Sequence, residues 1–347
     1  MCVEETKGDT IEMPHQIIPG LYRLPVPLPE NPLGTVNVYG VIGEDGVRLV
    51  DCGWDTPEAY AALVAELQTL GAKTSDIREI IVTHIHPDHF GLAERLVAES
   101  GARLSMHRLE AIHVGARYEY TRTLIEEMEA WLRVNGVPPD ELVAMSEGSL
   151  LMVARVGKRQ PDTVLEGGEL LAWSPYHFEV VWTPGHSAGL ICLYEPQAQV
   201  LVSSDHVLER ISPHIGLHTQ SFGNPLGDYL SSLQLVRDLP VKTILPGHGA
   251  PFHDLPGRVD ALLQHHERRL QAMLMMLADE ERTAYNVASR LPWHGSADGW
   301  QRLPPFQRRA AVSETIAHLE YLFGQGQLMK RFRSGVVFYQ PVQKTTR

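Results

Sequence analysis

Four side chains that can bind a metal lie within six residues of one another, directly after a short apolar segment. The segment is Ile80-Ile81-Val82, and the residues that follow it are Thr83-His84-Ile85-His86-Pro87-Asp88-His89. Because a β-strand holds its end rigidly, a short loop leaving that end can direct imidazoles and a carboxylate to one point. Neutral histidine nitrogens combined with a hard carboxylate oxygen are ligands of zinc-type hydrolytic sites. The motif therefore predicts a metal centre.

Three later apolar segments, each predicted to be a strand, lead into loops of the same kind. They end in Thr183-Pro184-Gly185-His186-Ser187, Ser203-Ser204-Asp205-His206 and Pro246-Gly247-His248-Gly249. Five imidazoles and two carboxylates suffice for two adjacent divalent ions, each with about three ligands of its own. The candidate ligands are His84, His86, Asp88, His89, His186, Asp205 and His248.

This set of residues resembles that of the metallo-β-lactamase superfamily, whose His-x-His-x-Asp-His motif stands here as His84-Ile85-His86-Pro87-Asp88-His89. The resemblance covers roughly residues 15–255 and implies an α/β fold, the αββα sandwich, with the site at its edge. It also implies the division of the ligands between two ions. The first ion would be held by His84, His86 and His186, the second by Asp88, His89 and His248, and both would be bridged by Asp205.

The residue at the bridging position indicates which branch of the superfamily this sequence resembles. Members that hydrolyse β-lactams commonly carry a cysteine where Asp205 stands, or lack one ligand of the second ion. An aspartate is instead the pattern of the glyoxalase II and ribonuclease Z branches. The resemblance therefore argues against β-lactams as the native substrate.

The ligand set also indicates a mechanism. Two divalent ions lower the pKa of a bridging water and supply hydroxide near neutral pH. We expect zinc, with iron or manganese as alternatives. That hydroxide would attack a carbonyl or phosphoryl centre, and we expect Asp88 and Asp205 to be the catalytic residues. Asp51, at the end of another predicted strand, either hydrogen-bonds a ligand histidine or caps a turn. We expect His206, His214 and His218 to be loop or pocket residues rather than ligands.

Two regions differ from this catalytic part. Residues from about 109 to 159 form a helical insertion, which either packs on the core as a hairpin or acts as a lid over an acyl or aromatic pocket. Its apolar residues are Tyr118, Tyr120, Leu124, Met128, Trp131, Leu132, Met145, Leu150, Leu151 and Met152. Residues 256–347 form a separate domain, in which a helix capped by Thr283, a helix over residues 308–323 and a hairpin through Ser334-Gly335 resemble a winged helix. We expect the pair His265-His266 to be solvated.

The catalytic part and the C-terminal region also differ in charge. The chain has a net charge of −12, which argues against indiscriminate binding to nucleic acid. Residues 256–347 nevertheless carry 13 Lys and Arg against 8 Asp and Glu, whereas the rest carries 17 against 34. No apolar run approaches the roughly 18 residues of a membrane-spanning helix. Three scattered cysteines and the lack of a secretory pattern at the N-terminus lead us to expect a cytoplasmic protein.

These observations favour a metal-dependent hydrolase of a small-molecule ester, thioester or lactone, with a side activity on phosphotriesters. The alternative is a metal-dependent endoribonuclease, in which the C-terminal region presents basic residues to RNA phosphates. Those residues are Arg308, Arg309, Lys330, Arg331 and Arg333. A third hypothesis is a di-iron sensor with the same ligands. If the C-terminal region does not bind RNA, we expect it to pack on the catalytic domain or on the second subunit of a homodimer.

Overall fold

The structure is a computed structural model that describes residues 15–118, 121–145, 156–296 and 298–342. The strands are β1 (His15–Ile18), β2 (Leu21–Pro27), β3 (Thr35–Gly43), β4 (Gly46–Val50), β5 (Ile77–Val82), β6 (Arg103–His107), β7 (Thr163–Leu165), β8 (Leu170–Trp173), β9 (Tyr176–Trp182), β10 (Ile191–Glu195), β11 (Val200–Ser204), β12 (Thr243–Pro246), β13 (Leu328–Arg333) and β14 (Val336–Pro341). The helices are α1 (Pro57–Thr69), α2 (Pro87–Phe90), α3 (Ala93–Ser100), α4 (Arg108–Ala111), α5 (His113–Tyr118), α6 (Thr121–Val134), α7 (139–145), α8 (Pro225–Arg237), α9 (Leu255–Leu277), α10 (Ala284–Ala288), α11 (Gly299–Arg302) and α12 (Pro305–Gly324).

Two mixed sheets form the centre of the fold. The first has the order β1-β2-β3-β4-β5-β6-β7 and is antiparallel up to β4 and parallel from β4 to β7. The second has the order β12-β11-β10-β9-β8 and is antiparallel except for the parallel pair β11 and β12. The hairpin β13–β14 stands apart from both sheets. In this order β5, β9, β11 and β12, which precede the predicted ligands, can all end at one edge of the two sheets.

Three clusters of buried apolar side chains define the layers. One joins the two sheets face to face and includes Tyr39, Ile81 and Phe178. A second lies between the first sheet and helices α1 and α3. The third lies between the second sheet and helices α8, α9 and α12. Helix, sheet, sheet and helix layers therefore follow one another, which confirms the predicted αββα sandwich.

Helix α1 begins at the capping residues that the sequence contains. The Thr56 side chain accepts a hydrogen bond from the backbone N–H of Ala59, and Pro57 occupies the first turn, where its missing N–H costs nothing. The turn at residues 44–46 joins β3 to β4 as an antiparallel hairpin. Within the described chain, no helix combines the length and the apolar character that crossing a membrane requires.

The C-terminal region has the predicted order of elements. Thr283 caps α10 through a hydrogen bond from Asn286 N, α12 follows, and β13–β14 form the last hairpin. The assignment of these elements to the winged-helix class and the domain boundary at residue 255 stay predictions. The expectation that His265 and His266 are solvated is wrong for His266, which is fully buried and lies 3.0 Å from His318 of α12, measured between Nδ1 and Nε2. The packing of α12 on α9 removes His266 from solvent.

The insertion begins with α4 and α5 and continues with α6 and α7. Leu132 and Met145 are buried in the cluster that also contains the helices of the C-terminal region, which supports the packed hairpin. Tyr120, Leu150, Leu151 and Met152, and with them much of the predicted lid, lie outside the described residues. The lid therefore stays a prediction.

Candidate metal centre

The loops that follow β5, β9, β11 and β12 meet at one edge of the sandwich. They bring together all seven side chains that the sequence singles out. Among the described residues, the sets whose ligand atoms lie within 4.8 Å of one another are His84 with His86 and His186, His84 with His89 and Asp205, and Asp88 with His89 and His248. These overlapping sets form one continuous cluster.

The first set is a triangle of imidazoles. His86 Nδ1 lies 3.0 Å from His84 Nε2 and 3.0 Å from His186 Nε2. The ring centroids of His84 and His186 are 5.0 Å apart. Three nitrogens that converge on one point in this way match the protein ligands of a zinc-type ion.

The second set contains the two carboxylates. His248 Nε2 lies 3.3 Å from Asp88 Oδ2, and His89 Nε2 lies 3.8 Å from the same atom. Asp205 stands between the two sets, since its Oδ1 is 3.6 Å from His89 Nε2 and its Oδ2 is 3.6 Å from His186 Nε2. This carboxylate therefore faces both groups of nitrogens, as a bridging ligand would.

Several of these atoms are buried without a hydrogen bond. Among the described residues, His89 Nε2, His248 Nε2 and Asp205 Oδ1 find no hydrogen-bond partner. Buried polar atoms in native proteins are normally paired, so three orphans directed into one small volume call for a missing partner. A divalent cation accepts lone pairs from both nitrogen and oxygen, and the residues present fit such an ion.

Hydrogen bonds on the far side of three of these rings fix which nitrogen carries the proton. His248 Nδ1 donates to Thr35 O at 2.8 Å, and His186 Nδ1 donates to His214 O at 2.8 Å. His89 Nδ1 lies 2.7 Å from Asp51 Oδ2, to which it donates. Because these acceptors hold the proton on Nδ1, the Nε2 atom of each ring keeps its lone pair for a cation.

Asp51 serves a second ligand through Thr83. Its Oδ1 accepts from Thr83 N at 2.8 Å, and its Oδ2 accepts from Thr83 Oγ1 at 2.9 Å. Since the hydroxyl proton of Thr83 goes to Asp51, Thr83 Oγ1 accepts from His84 Nδ1, which lies 3.2 Å away. The predicted contact between Asp51 and a candidate ligand histidine is confirmed, and the same side chain also orients His84.

Glu110 is a functional residue that the sequence did not reveal. It is buried, and its Oε2 accepts from the backbone N–H of Ile85 at 2.8 Å. Its Oε1 accepts from Ser187 Oγ at 2.5 Å and from Gly189 N at 2.6 Å. One carboxylate thus joins the loop of His84 and His86 to the loop of His186. Its position at the start of the insertion gave no signal of this role.

The loop of His248 is fastened to β3. Asn37 Nδ2 donates to Pro246 O and to Gly249 O, both at 2.8 Å, and Tyr39 Oη donates to Pro246 O at 2.7 Å. Asn37 N also donates to Gly247 O at 2.7 Å. A strand of the first sheet therefore fixes a loop of the second sheet.

The electrostatics favour ligands that carry lone pairs or negative charge. Burial alone would raise the pKa of Asp205, but the imidazoles of His248 and His89 hold it well below its usual value. Burial, together with the neighbouring imidazoles, lowers the pKa of His84 well below its usual value, so that ring is neutral. Burial would lower the pKa of His248, but Asp205 and Asp88 raise it to about 10. A cation placed among these groups would release that proton.

The three histidines that were expected to be loop or pocket residues lie outside the ligand cluster. Within the part of the chain that the structure describes, His206, His214 and His218 belong to none of the sets that could hold an ion. Cys52 and Cys192 are buried thiols, and Cys52 Sγ donates to His89 O at 3.1 Å. These cysteines pack beside the centre and supply no candidate ligand.

A two-sheet sandwich that carries a buried His and Asp cluster at its edge defines the class of metal-dependent hydrolases. The chain belongs to the metallo-beta-lactamase superfamily, whose family model matches residues 31–248. It is similar to the probable metallo-hydrolase YqjP of Bacillus subtilis (strain 168), with 24% identity over 93% of this chain and 97% of that protein.

Two crystal structures resemble the whole chain. A metallo-beta-lactamase family protein from Thermus thermophilus is 33% identical with a TM-score of 0.80, and the match covers 94% of this chain and 100% of that one. A beta-lactamase domain protein from Burkholderia ambifaria is 26% identical with a TM-score of 0.81, over 98% and 97% of the two chains. The likeness therefore extends through the C-terminal region.

Proposed function

We propose that the protein uses two divalent ions, preferably zinc, to hydrolyse a small-molecule ester, thioester or lactone. The observation that carries this proposal is the pair of adjacent ligand sets with Asp205 between them. His84, His86 and His186 would hold one ion. The second ion would be held by Asp88, His89 and His248, with Asp205 shared between the two.

The bound ions and the protein side chains would have different roles in the reaction. When bound, a pair of such ions generates a strong nucleophile from water near neutral pH and polarises a carbonyl oxygen. We assign to Asp88 and Asp205 the orientation of the attacking water, because carboxylate oxygens accept its hydrogen bonds. Asp51 and Glu110 keep the ligand loops in place.

Two exposed apolar side chains support a neutral acyl substrate. Ile112 and Phe222 are 53% and 45% exposed, and the Phe222 ring contacts that of His113 at 5.3 Å between centroids. Ile112 follows Glu110, which binds two of the ligand loops, by two positions, and Phe222 lies in the loop between β11 and α8. Exposed apolar side chains on such segments suit contact with the chain of an ester or thioester. The acidic balance of residues 1–255 would also repel a polyanion.

Cleavage of RNA is the second candidate, and the hairpin β13–β14 is the observation that favours it. Phe332 on this hairpin is 69% exposed between Arg331 and Arg333. Against it, Lys330 Nζ lies 2.5 Å from Glu320 Oε2, and Arg333 pairs with Glu281. These acidic partners cancel much of the charge that would attract phosphates.

The test combines metal content with a substrate screen. Elemental analysis should find two zinc-like ions per chain, and the screen should contain thioesters, aryl esters, lactones and a short RNA. We expect turnover of an acyl substrate that does not depend on salt. Cleavage of RNA alone, weakening steeply with salt, would establish the nuclease instead.

The Asp205→Ala variant tests the site assignment in the same assays. Loss of the bridging carboxylate should remove at least one ion and nearly abolish turnover, by roughly a thousandfold or more. Glu209→Gln, a change at a half-buried side chain four residues further along the same loop, should leave metal content and turnover unchanged. Full metal content and full turnover in Asp205→Ala would refute the assignment.

A further inference from the structure

The outer partner of His186 differs in kind from those of His84, His89 and His248. Asp51, Thr83 and Thr35 lie at the ends of strands, where the sheet fixes them. His186 Nδ1 instead donates to the carbonyl of His214, which belongs to the irregular loop 205–224 between β11 and α8. A long irregular loop does not by itself hold a carbonyl in place, so another part of the molecule must do so.

Helix α12 of the C-terminal region supplies that support. Ser313 Oγ donates to Leu217 O at 2.8 Å, and Leu217 N donates back to Ser313 O at 3.1 Å. The next residue of the helix, Glu314, lies with its Oε2 3.4 Å from His214 Nδ1. Two consecutive residues of α12 therefore clamp the loop on either side of Ile215.

Helix α9 holds the same loop at a second point. Arg258 Nε donates to Leu208 O at 2.6 Å, and its Nη2 donates to Ile211 O at 2.8 Å. His214 thus lies between the anchor on α9 and the anchor on α12. Both anchors come from residues beyond 255, outside the stretch to which the resemblance of the motif extends.

The carboxylate of Glu314 is itself fixed. It is buried, and its Oε1 lies 3.3 Å from Arg269 Nη1, whose guanidinium stacks 4.4 Å above the Trp293 ring. Burial would raise the pKa of Glu314, but Arg269 and His214 hold it well below its usual value. The ion pair with Arg269 and the contact with His214 together restrict where this carboxylate can lie beside the loop.

We propose that helix α12 is part of the metal centre and that Glu314, acting through His214, is a positioning residue for His186. The contact chain runs from the Arg269 guanidinium to Glu314, then to the His214 imidazole and carbonyl, and finally to His186 Nδ1. This inference rests on the proposed function, since it concerns the ion that His84, His86 and His186 would hold.

The test uses Glu314→Gln in the full chain, because this change keeps the shape of the side chain. Arg269 and His214 approach different oxygens of the Glu314 carboxylate, so the NH₂ group of a glutamine must face one of them. The matched control is Glu320→Gln on the same helix, where Glu320 pairs with Lys330 and Tyr339. Zinc affinities are measured by competition with a chromophoric chelator, and the histidine rings are followed by two-bond ¹H–¹⁵N correlation spectra.

We expect Glu314→Gln to weaken one of two zinc ions about tenfold, the lower end of the effect of changing an outer-shell partner. The ring signals of His186 should change, while those of His248, which Thr35 holds, should not. Glu320→Gln should match the unchanged chain. Wild-type affinity for both ions in Glu314→Gln would overturn the inference, as would equal weakening of both ions with altered His248 signals.

Two further results keep the inference separate from the proposed function. If Glu314→Gln does not fold, Ser313→Ala removes one hydrogen bond to Leu217 without changing any charge, and the same selective loss is expected at smaller size. Wild-type affinity for both ions in that variant would then overturn the inference. If the unchanged chain binds no zinc, the proposed function fails, and the inference fails with it.

Discussion

Replacement of Glu110 by glutamine tests whether one carboxylate joins the two ligand loops. The carboxylate receives three donors, Ile85 N on one oxygen and Ser187 Oγ and Gly189 N on the other. A glutamine has the same shape but only one oxygen. Its NH₂ group must therefore face at least one of these donors, and the less costly arrangement turns it towards Ile85.

The size of the effect follows from that arrangement. A hydrogen bond to a charged group contributes about 1.5–3 kcal/mol, and a buried N–H left without an acceptor costs about 1–3 kcal/mol. Ile85 is fully buried, so water cannot replace the lost acceptor. Because the two terms overlap, we expect Glu110→Gln to lower the free energy of unfolding by about 3 kcal/mol.

The assay is urea unfolding with chelator present, followed by zinc titration. The control is Glu166→Gln, which removes an exposed ion pair with Arg108 and should cost no more than about 1 kcal/mol. Zinc affinity should also fall in Glu110→Gln, because Ile85 separates two ligands and Ser187 follows a third. If Glu110→Gln unfolds at the same urea concentration as Glu166→Gln, the carboxylate does not hold the loops and the reasoning is wrong.

Two further predictions concern groups around the centre. Asp51→Asn should weaken zinc binding by about 10- to 100-fold in chelator competition, because His89 and Thr83 lose a charged acceptor, and a change below threefold would contradict this. Burial lowers the pKa of His318 to about 4, although Glu314 opposes the shift. The unfolded chain, with a pKa near 6.5, therefore takes up a proton between about pH 6.5 and 4 that the folded chain excludes. Stability should fall by about 3 kcal/mol as the pH drops through this window. Urea unfolding of His318→Gln should show a shallower pH dependence, and an equal slope would refute the assignment to His318.

The sequence allowed the ligands to be predicted because each one follows a strand directly. A strand end fixes the direction of the next few residues, and the order of strands in the two sheets brings β5, β9, β11 and β12 to one edge. The same logic applied to Asp51, which follows β4. The strands β6, β7 and β8 were not predicted, because three to five residues give little alternation and, unlike the equally short β11 and β12, none of the three leads into a candidate ligand.

The supporting contacts could not be predicted for a different reason. Glu110 and Ile85 are 25 positions apart, and Glu314 and His214 are 100 positions apart. Nothing in the local pattern around either glutamate distinguishes it from a solvated charge. His266 shows the same limit, because the helical periodicity of α9 does not reveal that α12 covers that face. Such contacts depend on packing between elements, which the order of residues in one segment does not encode.

The distribution of partners among the buried carboxylates shows where a cation belongs. A buried charge needs a partner that compensates for lost water. Asp51 and Glu110 each receive backbone N–H and hydroxyl donors, and Glu314 pairs with Arg269. Asp88 and Asp205 instead face His248 Nε2 at 3.3 and 3.5 Å. Its Nδ1 proton is already committed to Thr35 O, so a neutral His248 ring offers these carboxylates a lone pair and no donor. A divalent ion would compensate the negative charge of both carboxylates and would accept the imidazole lone pairs at the same time. A single proton on one ring cannot do both.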